Sequence, residues 1–568
     1  MNMRACATAT ILLAWMFIVA PPGSRAQSDP CANARDIRLV NGKVVTMDPQ
    51  NPAATEVTIQ EGRFAYVGKT KANLNPCTKV IDVHGRTVVP GLIDGHNHFI
   101  PLAFAAGHDA RIETAWSIPE ILDRIRERAR STPPGAFITS TAGWAVMQLA
   151  EKRMPTMAEL DQAAPNNPVF IYPNGPGGAV VNSRGKAFFE EKGIKIGPDG
   201  TIPGGVGGFG GFSDEFGALR ALQTFDELKE RVIDAETYAV SLGMTANVDG
   251  GITYLRGTPD LQDATTTGPG METFNPWTAY DPLLALNREG KLTARIRFYW
   301  YGQDTRMDIP LLKEHLLNSF PYFGDDMLRQ SGIGERPVSW STGEGPGQAR
   351  TAPPENFEAA LMLIAQHRWS FIHHAISASD SKMITDTMER VNRVYPIADL
   401  RWSLLHTADI SDDTLNRLKA MGAGVQPNAY PYISAVPPNA TAPAGPPFRR
   451  ILDNGIRATG GSGCVGVCGL DPWLMIYYMV TGKNAAGQMK NAGNQISRVE
   501  ALRLYTAAPP WFFHEEDKLG SMEPGKLGDA AVLSADYLDP SKVPDDEIRN
   551  LKSVLTIVGG KIVYNDLH

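Results

Sequence analysis

The chain has 568 residues, of which 43% are hydrophobic and 20% are charged, and its formal net charge is -7. This composition is typical of a globular protein, so disorder and a fibrous repeat are excluded, and the length allows more than one domain. Without a Lys/Arg-rich run, the chain has no electrostatic footprint for nucleic acid, and we expect none as a partner.

The first residues have the pattern of a secretion signal. Arg4 gives a positive start, residues 5–20 are apolar, and the small-x-small sequence Ser24–Ala26 is a cleavage site. The apolar run is shorter than the ~20 residues that a spanning helix needs. We therefore expect a signal peptide over residues 1–26 and a periplasmic or extracellular protein that leaves the membrane; an uncleaved anchor is the alternative.

Four cysteines remain once this signal is removed. An even number of cysteines in an oxidising compartment favours disulfides. We predict that Cys31 and Cys77 are bridged, because both lie in the N-terminal segment. Cys464 and Cys468 form a lone C-x-x-x-C, which fits a local disulfide, two free thiols or a metal-ligand pair.

The two ends of the mature chain share one sequence pattern. Residues 36–90 and 529–565 consist of short, β-branched runs separated by Gly or Pro, which is typical of strands and turns. We expect both ends to fold together as one small β-sandwich, with residues 27–87 as its N-terminal part and residues 521–568 as its C-terminal part.

The middle of the chain, residues 88–520, alternates strand-like and helix-like segments, which predicts an α/β fold, a (β/α)8 TIM-like barrel. Residues 100–242 do not fit this rhythm and are predicted to be an insertion. Helices are expected over residues 356–367, 382–393 and 411–421. The eight predicted strands are 88–98, 245–251, 296–300, 337–343, 371–374, 402–406, 424–427 and 457–462.

The strongest local signal is the sequence VPGLIDGHNHF at residues 89–99. Side chains two apart on a strand point to the same face, so His96 and His98 can bind one ion. The motif follows an apolar strand and a Pro-Gly turn, at the junction between the predicted sandwich and the barrel. This position favours a metal site over an exposed polar strand end.

At these residues the chain resembles the amidohydrolase superfamily, in particular its amidohydrolase-3 branch. The resemblance implies a metal-dependent hydrolase of amide, imide or related bonds that acts on a small molecule. The segments that carry it are PGLIDGHNH at 90–98, HAIS at 374–377 (the family's HAIGD), LHT at 405–407 (its EHA), QP at 426–427, and the C-terminal stretches 497–506 and 520–533.

The resemblance extends the predicted metal site to two further histidines. His374 and His406 end consecutive predicted strands, so they reach the same barrel mouth as His96 and His98. Four imidazoles suit Zn²⁺ or a similar cation. His373 must point to the opposite face of its strand and is predicted to be structural.

Two departures from the family pattern concern the chemistry. No lysine lies between Lys313 and Lys382, so the carboxylated lysine that bridges two ions in relatives is missing. The family's strand-eight aspartate is replaced by Gly463. Four residues could replace the acid that moves the proton: Glu344, Asp249, Asp471 and Cys464. We predict catalytic roles for Glu344 and Asp249.

Without a bridging group, we expect about one metal ion per chain. The four imidazole ligands favour zinc, and His406 is expected to be the ligand that binds the ion least tightly. The leading functional prediction is an exported metal-dependent hydrolase. The alternatives are a degenerate relative that binds a small molecule or a protein without turnover, and a lactone or ester hydrolase. The sequence leaves the substrate and the oligomeric state open.

Overall fold

The computed structural model describes residue 31 and residues 36–69, 76–140, 143–173, 178–203, 213–251, 280–300, 308–338, 354–428, 432, 445–464 and 468–568. The predicted signal peptide and the candidate Glu344 lie outside these residues. Within the described part of the chain, we find no helix whose length and apolar character would let it cross a membrane.

The strands, in chain order, are β1 (Ile37–Val40), β2 (Lys43–Val45), β3 (Ala53–Ala54), β4 (Glu56–Gln60), β5 (Arg63–Gly68), β6 (Lys79–Asp82), β7 (Thr87–Pro90), β8 (Leu92–Asn97), β9 (His108–Asp109), β10 (Ile138–Thr139), β11 (Val169–Ile171), β12 (Ala179–Val181), β13 (Thr201–Ile202), β14 (Met244–Asp249), β15 (Arg295–Trp300), β16 (Leu328–Ile333), β17 (Ile372–Ala375), β18 (Ser403–His406), β19 (Gly424–Pro427), β20 (Arg457–Ala458), β21 (Ala530–Leu533), β22 (Ser553–Val558) and β23 (Lys561–Asn565).

The α-helices, in chain order, are α1 (Phe99–Ala103), α2 (Ile118–Ser131), α3 (Met157–Ala163), α4 (Ser183–Glu191), α5 (Ser213–Arg220), α6 (Phe225–Ser241), α7 (Asp281–Arg288), α8 (Pro310–Asn318), α9 (Pro354–Gln366), α10 (Ala378–Val394), α11 (Asp412–Ala420), α12 (Phe448–Asn454), α13 (Pro472–Thr481) and α14 (Arg498–Leu504).

Strands from both ends of the chain share one sheet. Its order is β23-β22-β21-β7-β2-β3, and a second sheet has the order β5-β4-β1-β6. Apolar side chains of both sheets, among them Ile37, Val57, Val532 and Ile557, form one buried cluster. The strands that pair over long range, β7, β21 and β22, are buried along their whole length, as their apolar sequences predict. A disulfide joins Cys31 and Cys77, as predicted.

Eight parallel strands follow one another in a TIM-barrel-type α/β fold. Strands β8, β14, β15 and β16 form one four-stranded sheet, and β17 to β20 form another. Residues 333 and 371 form a parallel bridge between them. On the other side, the Gly95 N–H donates to the Gly460 carbonyl at 3.0 Å. The predicted helices correspond to α9, α10 and α11, and the serines Ser377 and Ser411 cap the last two.

The fourth strand of the parallel series lies earlier than predicted: it is β16, at Leu328–Ile333, which pairs with β15. Of the predicted residues 337–343, residues 339–343 lie outside the described part of the chain. Polar side chains interrupt the apolar pattern of β16, and tertiary contacts satisfy two of them. The Gln330 amide lies 2.7 Å from His315 Nε2, and Arg329 pairs with Glu515 at 2.6 Å. The correction matters because the residues just after strand four reach the barrel mouth.

The chain between β8 and β14 forms a sheet of its own. Its order is β13-β12-β11-β10-β9, and helices α2, α3 and α4 contact it. The side chains of Ile121, Ile138, Trp144 and Val169 belong to one buried apolar cluster that is separate from the barrel core.

Buried ion pairs connect the returning C-terminal segment to two barrel strands. Arg295 of β15 forms a bidentate pair with Asp529, at 2.7 and 2.9 Å. Arg297 of β15 donates to Glu515 at 2.7 Å, and Arg329 of β16 binds the other oxygen of the same carboxylate. The two β15 guanidinium groups are almost completely buried, so they depend on these carboxylates.

Candidate metal centre

The structure brings the four predicted histidines together. His96 is the penultimate residue of β8, His98 follows that strand, His374 lies on β17 and His406 ends β18. The ring centroids of His96 and His406 are 5.1 Å apart, those of His96 and His98 are 5.2 Å apart, and those of His374 and His406 are 4.2 Å apart. Four imidazoles from three strands therefore surround one small volume.

A buried glutamate that the sequence analysis missed lies among these histidines. Glu335 comes two residues after β16. Its Oε1 is 2.9 Å from His406 Nε2 and contacts His374 Nδ1, and its Oε2 is 3.3 Å from His98 Nε2. Burial alone would raise the pKa of Glu335, but the adjacent His374 and His406 hold it well below its usual range. The carboxylate is therefore ionised and faces three imidazoles.

Among the described residues, His96 lacks a partner of its own. Its side chain is fully buried, and neither ring nitrogen has a hydrogen-bond partner among the described residues. Burial lowers the pKa of His96 well below its ordinary value, which favours the neutral imidazole that binds metals. A buried imidazole without a partner is unfavourable, and a bound cation would satisfy it.

Glycines make room for the His96 ring and backbone. A Cβ atom at Gly250 would lie 2.5 Å from His96 Cε1, and one at Gly461 would lie 2.6 Å from the His96 carbonyl oxygen. Both contacts are shorter than real Cβ atoms make, so larger residues at either position would displace His96.

Hydrogen bonds orient two of the other rings. His98 Nδ1 donates to the Gly251 carbonyl at 3.0 Å, which leaves the lone pair of Nε2 facing the Glu335 carboxylate. Two electron-pair donors that face each other are the arrangement that a cation between them stabilises. His406 Nδ1 lies 2.7 Å from the side-chain amide of Asn428. The backbone of His406 is left-handed, with φ of 65°, a strained conformation that is often found at functional sites.

The donor set fits a divalent metal ion. Ligand atoms of His96, Glu335 and His406 all lie within 4.8 Å of one another. They form the group of metal-ligating side chains that the described part of the chain brings this close together. Imidazole nitrogen with carboxylate oxygen is a ligand set that zinc takes. His406 belongs to this group, so its position gives no reason for the looser binding that we predicted. Glu335 also removes the premise of the one-ion prediction, which was that no side chain could bridge.

A hydrogen-bonded pair of residues links strands one and eight beneath the histidines. Asp94 accepts from the His96 N–H, the Ser462 N–H and the Ser462 hydroxyl, the last at 2.6 Å. Burial raises the pKa of Asp94 to about 6, although these hydrogen bonds oppose the rise. Gly463 follows with φ of 59° and donates its N–H to the His96 carbonyl. The residue that replaces the family's aspartate thus supports the strand-one motif through its backbone.

The other predicted candidates lie around the site with different contacts. Both oxygens of Asp249 accept backbone N–H groups, from Ile100 at 2.8 Å and from Gly251 at 2.9 Å, and burial raises its pKa to about 6. Asp471 caps α13 through the Trp473 N–H. These contacts give both carboxylates a structural task, and the catalytic role of Asp249 stays a prediction.

Two cysteines, Cys464 and Cys468, and the histidine next to His374, His373, are also buried. Cys464 and Cys468 are free thiols whose pKa burial raises. The Cys464 carbonyl accepts the backbone N–H of His98. His373 points away from the site, packs against Phe357 and Phe371, and is structural as predicted.

The chain belongs to the Amidohydrolase family, because the model of that family matches residues 79–564. The resemblance seen in the sequence is therefore confirmed, and so is the prediction of a metal-dependent hydrolase. N-substituted formamide deformylase of Arthrobacter pascens is 38% identical over 141 residues, which are 24% of this chain and 26% of that enzyme. The match thus spans about a quarter of the deformylase.

More distant relatives cover nearly the whole chain. Protein LONG AFTER FAR-RED 3 of Arabidopsis thaliana is 23% identical over 95% of this chain and 93% of its own length. The crystal structure of atrazine chlorohydrolase TrzN from Arthrobacter aurescens TC1, complexed with zinc, superposes with a TM-score of 0.54. The two chains are 15% identical, and the superposition covers 94% of this chain and 96% of TrzN. This likeness supports the TIM-barrel-type fold.

Proposed function

We propose that this protein hydrolyses an amide, imide or related C–N bond of a small molecule with the help of a bound zinc ion. The observation that carries the proposal is the cluster of four histidines around the ionised Glu335, which contacts three of them. Neither ring nitrogen of the buried His96 has a hydrogen-bond partner within the described part of the chain. The names of the relatives support it, since one is a formamide deformylase and another is an atrazine chlorohydrolase complexed with zinc.

Five side chains would hold the metal: His96, His98, Glu335, His374 and His406. A divalent cation bound there lowers the pKa of a coordinated water towards about 7 and polarises a carbonyl group. The protein supplies the ligands as imidazoles and one carboxylate, and it holds His98 in place through the Gly251 carbonyl. Burial of these groups keeps bulk water away, which strengthens every charge interaction in the site.

The number of ions follows from how Glu335 is used. One of its oxygens contacts His374 and His406, and the other faces His98. A carboxylate whose two oxygens face different histidines can bridge two ions, whereas the sequence predicted about one. Metal analysis of the purified chain decides between these numbers, and either count leaves the proposed hydrolysis in place.

The test joins metal content to a substrate screen. Elemental analysis of the purified protein should find zinc, and a panel of amides, imides and esters should give turnover that a chelator abolishes and added zinc restores. Turnover of esters or lactones alone would favour the alternative substrate class. The replacement of the strand-eight aspartate by Gly463 favours a second candidate, a relative that binds without turnover. Tightly bound zinc with no turnover of any compound would support that candidate.

We also propose that the protein is exported, with the signal removed after Ala26, and that its domains are those predicted above. The sheet shared by both termini supports a β-sandwich built from residues 27–87 and 521–568, and the order of the eight parallel strands supports a (β/α)8 barrel over residues 88–520. The Cys31–Cys77 disulfide is in keeping with an oxidising compartment. Amino-terminal sequencing of secreted protein would test the cleavage site.

A further inference from the structure

Asn428 is the residue immediately after β19, and its side chain is fully buried beside the metal centre. Its amide nitrogen lies 2.7 Å from His406 Nδ1. On the other side of the same ring, His406 Nε2 lies 2.9 Å from Glu335 Oε1. The imidazole of His406 is therefore held between an amide and a carboxylate, one at each nitrogen.

The backbone around Asn428 is fixed by both neighbouring strands. Strand β19 pairs with β18 in parallel, and Asn428 itself forms a bridge to Gly461 of the strand-eight region. Gly461 in turn lies against the His96 backbone, with no space for a Cβ atom. Asn428 thus occupies a rigid position, as groups that orient a metal ligand must.

The two partners of His406 define which nitrogen carries the proton. A neutral imidazole has one N–H donor and one lone pair, and an ionised carboxylate only accepts. With Glu335 at Nε2, the proton is on Nε2, and Nδ1 accepts from the Asn428 amide. The Oδ1 atom of Asn428 has no partner among the described residues.

A metal ion bound through Nε2 requires the opposite arrangement. The lone pair of Nε2 then points at the ion, the proton moves to Nδ1, and Nδ1–H needs an acceptor. Asn428 can provide it, because rotation of its amide by about 180° exchanges nitrogen and oxygen at nearly the same positions. Both tautomers of His406 can therefore be hydrogen-bonded without movement of the backbone.

We propose that Asn428 is the positioning residue of His406, and that its amide turns over when the site is loaded so that Oδ1 accepts the Nδ1 proton. The inference rests on the proposed metal centre and names a residue whose role lies in ligand orientation. Partners of metal-bound histidines typically contribute about 10- to 100-fold to metal affinity.

The test compares variants of the full chain, stripped of metal and titrated with zinc against a chromophoric chelator. Asn428→Leu keeps the shape of the side chain but removes its hydrogen bonds, and it should weaken zinc binding by about 10- to 100-fold. Asn428→Asp keeps an acceptor in the same place, so this variant should bind zinc about as tightly as the wild type. Gln426→Met is the matched control, because Gln426 is a buried amide on the same strand that bonds Ser403 and not a histidine.

A second measurement does not depend on any variant that could misfold. In ¹⁵N-histidine NMR of the wild type, His406 should carry its proton on Nε2 without zinc and on Nδ1 with zinc. Zinc affinity unchanged in Asn428→Leu, an Asp variant as weak as the Leu variant, or no change of tautomer on loading would each overturn the inference. Failure of the wild type to bind zinc at all would instead refute the proposed function.

Discussion

Replacement of Glu335 by glutamine tests the centre most directly. The change keeps the shape of the side chain and one ligand oxygen but removes the negative charge that faces His98, His374 and His406. His406 Nε2 lies 2.9 Å from one oxygen of the Glu335 carboxylate, and His98 Nε2 lies 3.3 Å from the other. A cation bound by these imidazoles would therefore lie within about 4 Å of the carboxylate.

The expected loss of affinity follows from this distance. Two unit charges 4 Å apart interact by about 4 kcal/mol at an effective dielectric constant of about 20, and the double charge of Zn²⁺ makes this value a lower bound. Each 1.4 kcal/mol is about a factor of ten in affinity, so Glu335→Gln should weaken zinc binding by roughly 1,000-fold or more. Competition with a chromophoric chelator measures the change, and elemental analysis shows whether the number of ions per chain falls as well.

Glu236→Gln is the matched control for this experiment. Glu236 is a fully buried glutamate of α6 that accepts backbone N–H groups from Thr293 and Ala294. The same substitution is made here away from the histidines, so the Glu236→Gln variant should bind zinc as tightly as the wild type. If Glu335→Gln also bound zinc like the wild type, the carboxylate would not be a ligand and the centre would have to be redrawn.

Three further predictions use other parts of the molecule. His96→Ala should abolish zinc binding, whereas Cys464→Ser should leave it nearly unchanged; zinc lost from the Cys464 variant in elemental analysis would contradict this assignment. Burial raises the pKa of Glu236 from 4.5 to about 8. The folded state then holds a proton that the unfolded state has lost, so stability falls as pH rises from about 4.5 to 8. In urea unfolding at both ends of that range, the wild type should lose roughly 2–5 kcal/mol more than Glu236→Gln, at about 1.4 kcal/mol per pKa unit; equal losses would refute the shift. The disulfide closes a loop with a sequence separation of 46. Replacing Cys31 and Cys77 together by serine should lower the free energy of unfolding by about 4 kcal/mol in the chain-entropy model, and mass spectrometry that found both thiols free in the wild type would remove the basis of this value.

The sequence was enough to predict the four clustered histidines, because the His-x-His motif and the family resemblance mark them and each lies at or next to the end of a strand. His96 and His98 have the spacing of one strand face, and His374 and His406 end runs that the structure has as β17 and β18. The parallel order of the strands then carries all four to one mouth. Local pattern and topology agree at these positions, so the prediction needed no knowledge of the packing.

The carboxylate could not be found in the same way. Strand β16 reads LRQSGI, and its polar residues hide it from a search for apolar runs. Gln330 is satisfied by His315 and Arg329 by Glu515, which are contacts that only the folded chain supplies. With the fourth strand predicted at residues 337–343, Glu344 is the acid that follows it, whereas Glu335 precedes it. The one available signal was position, since Glu335 comes two residues after the true strand end.

The buried pairs that join Arg295 to Asp529 and Arg297 to Glu515 bear on the order of folding. Both arginines lie near the middle of the chain, while their carboxylates belong to its last part. During synthesis, a barrel that closed early would bury two guanidinium groups whose partners had not yet left the ribosome, at a penalty of several kcal/mol per charge. The native barrel therefore becomes stable only when residues 515–529 are available. Such late assembly is in keeping with the export that we propose.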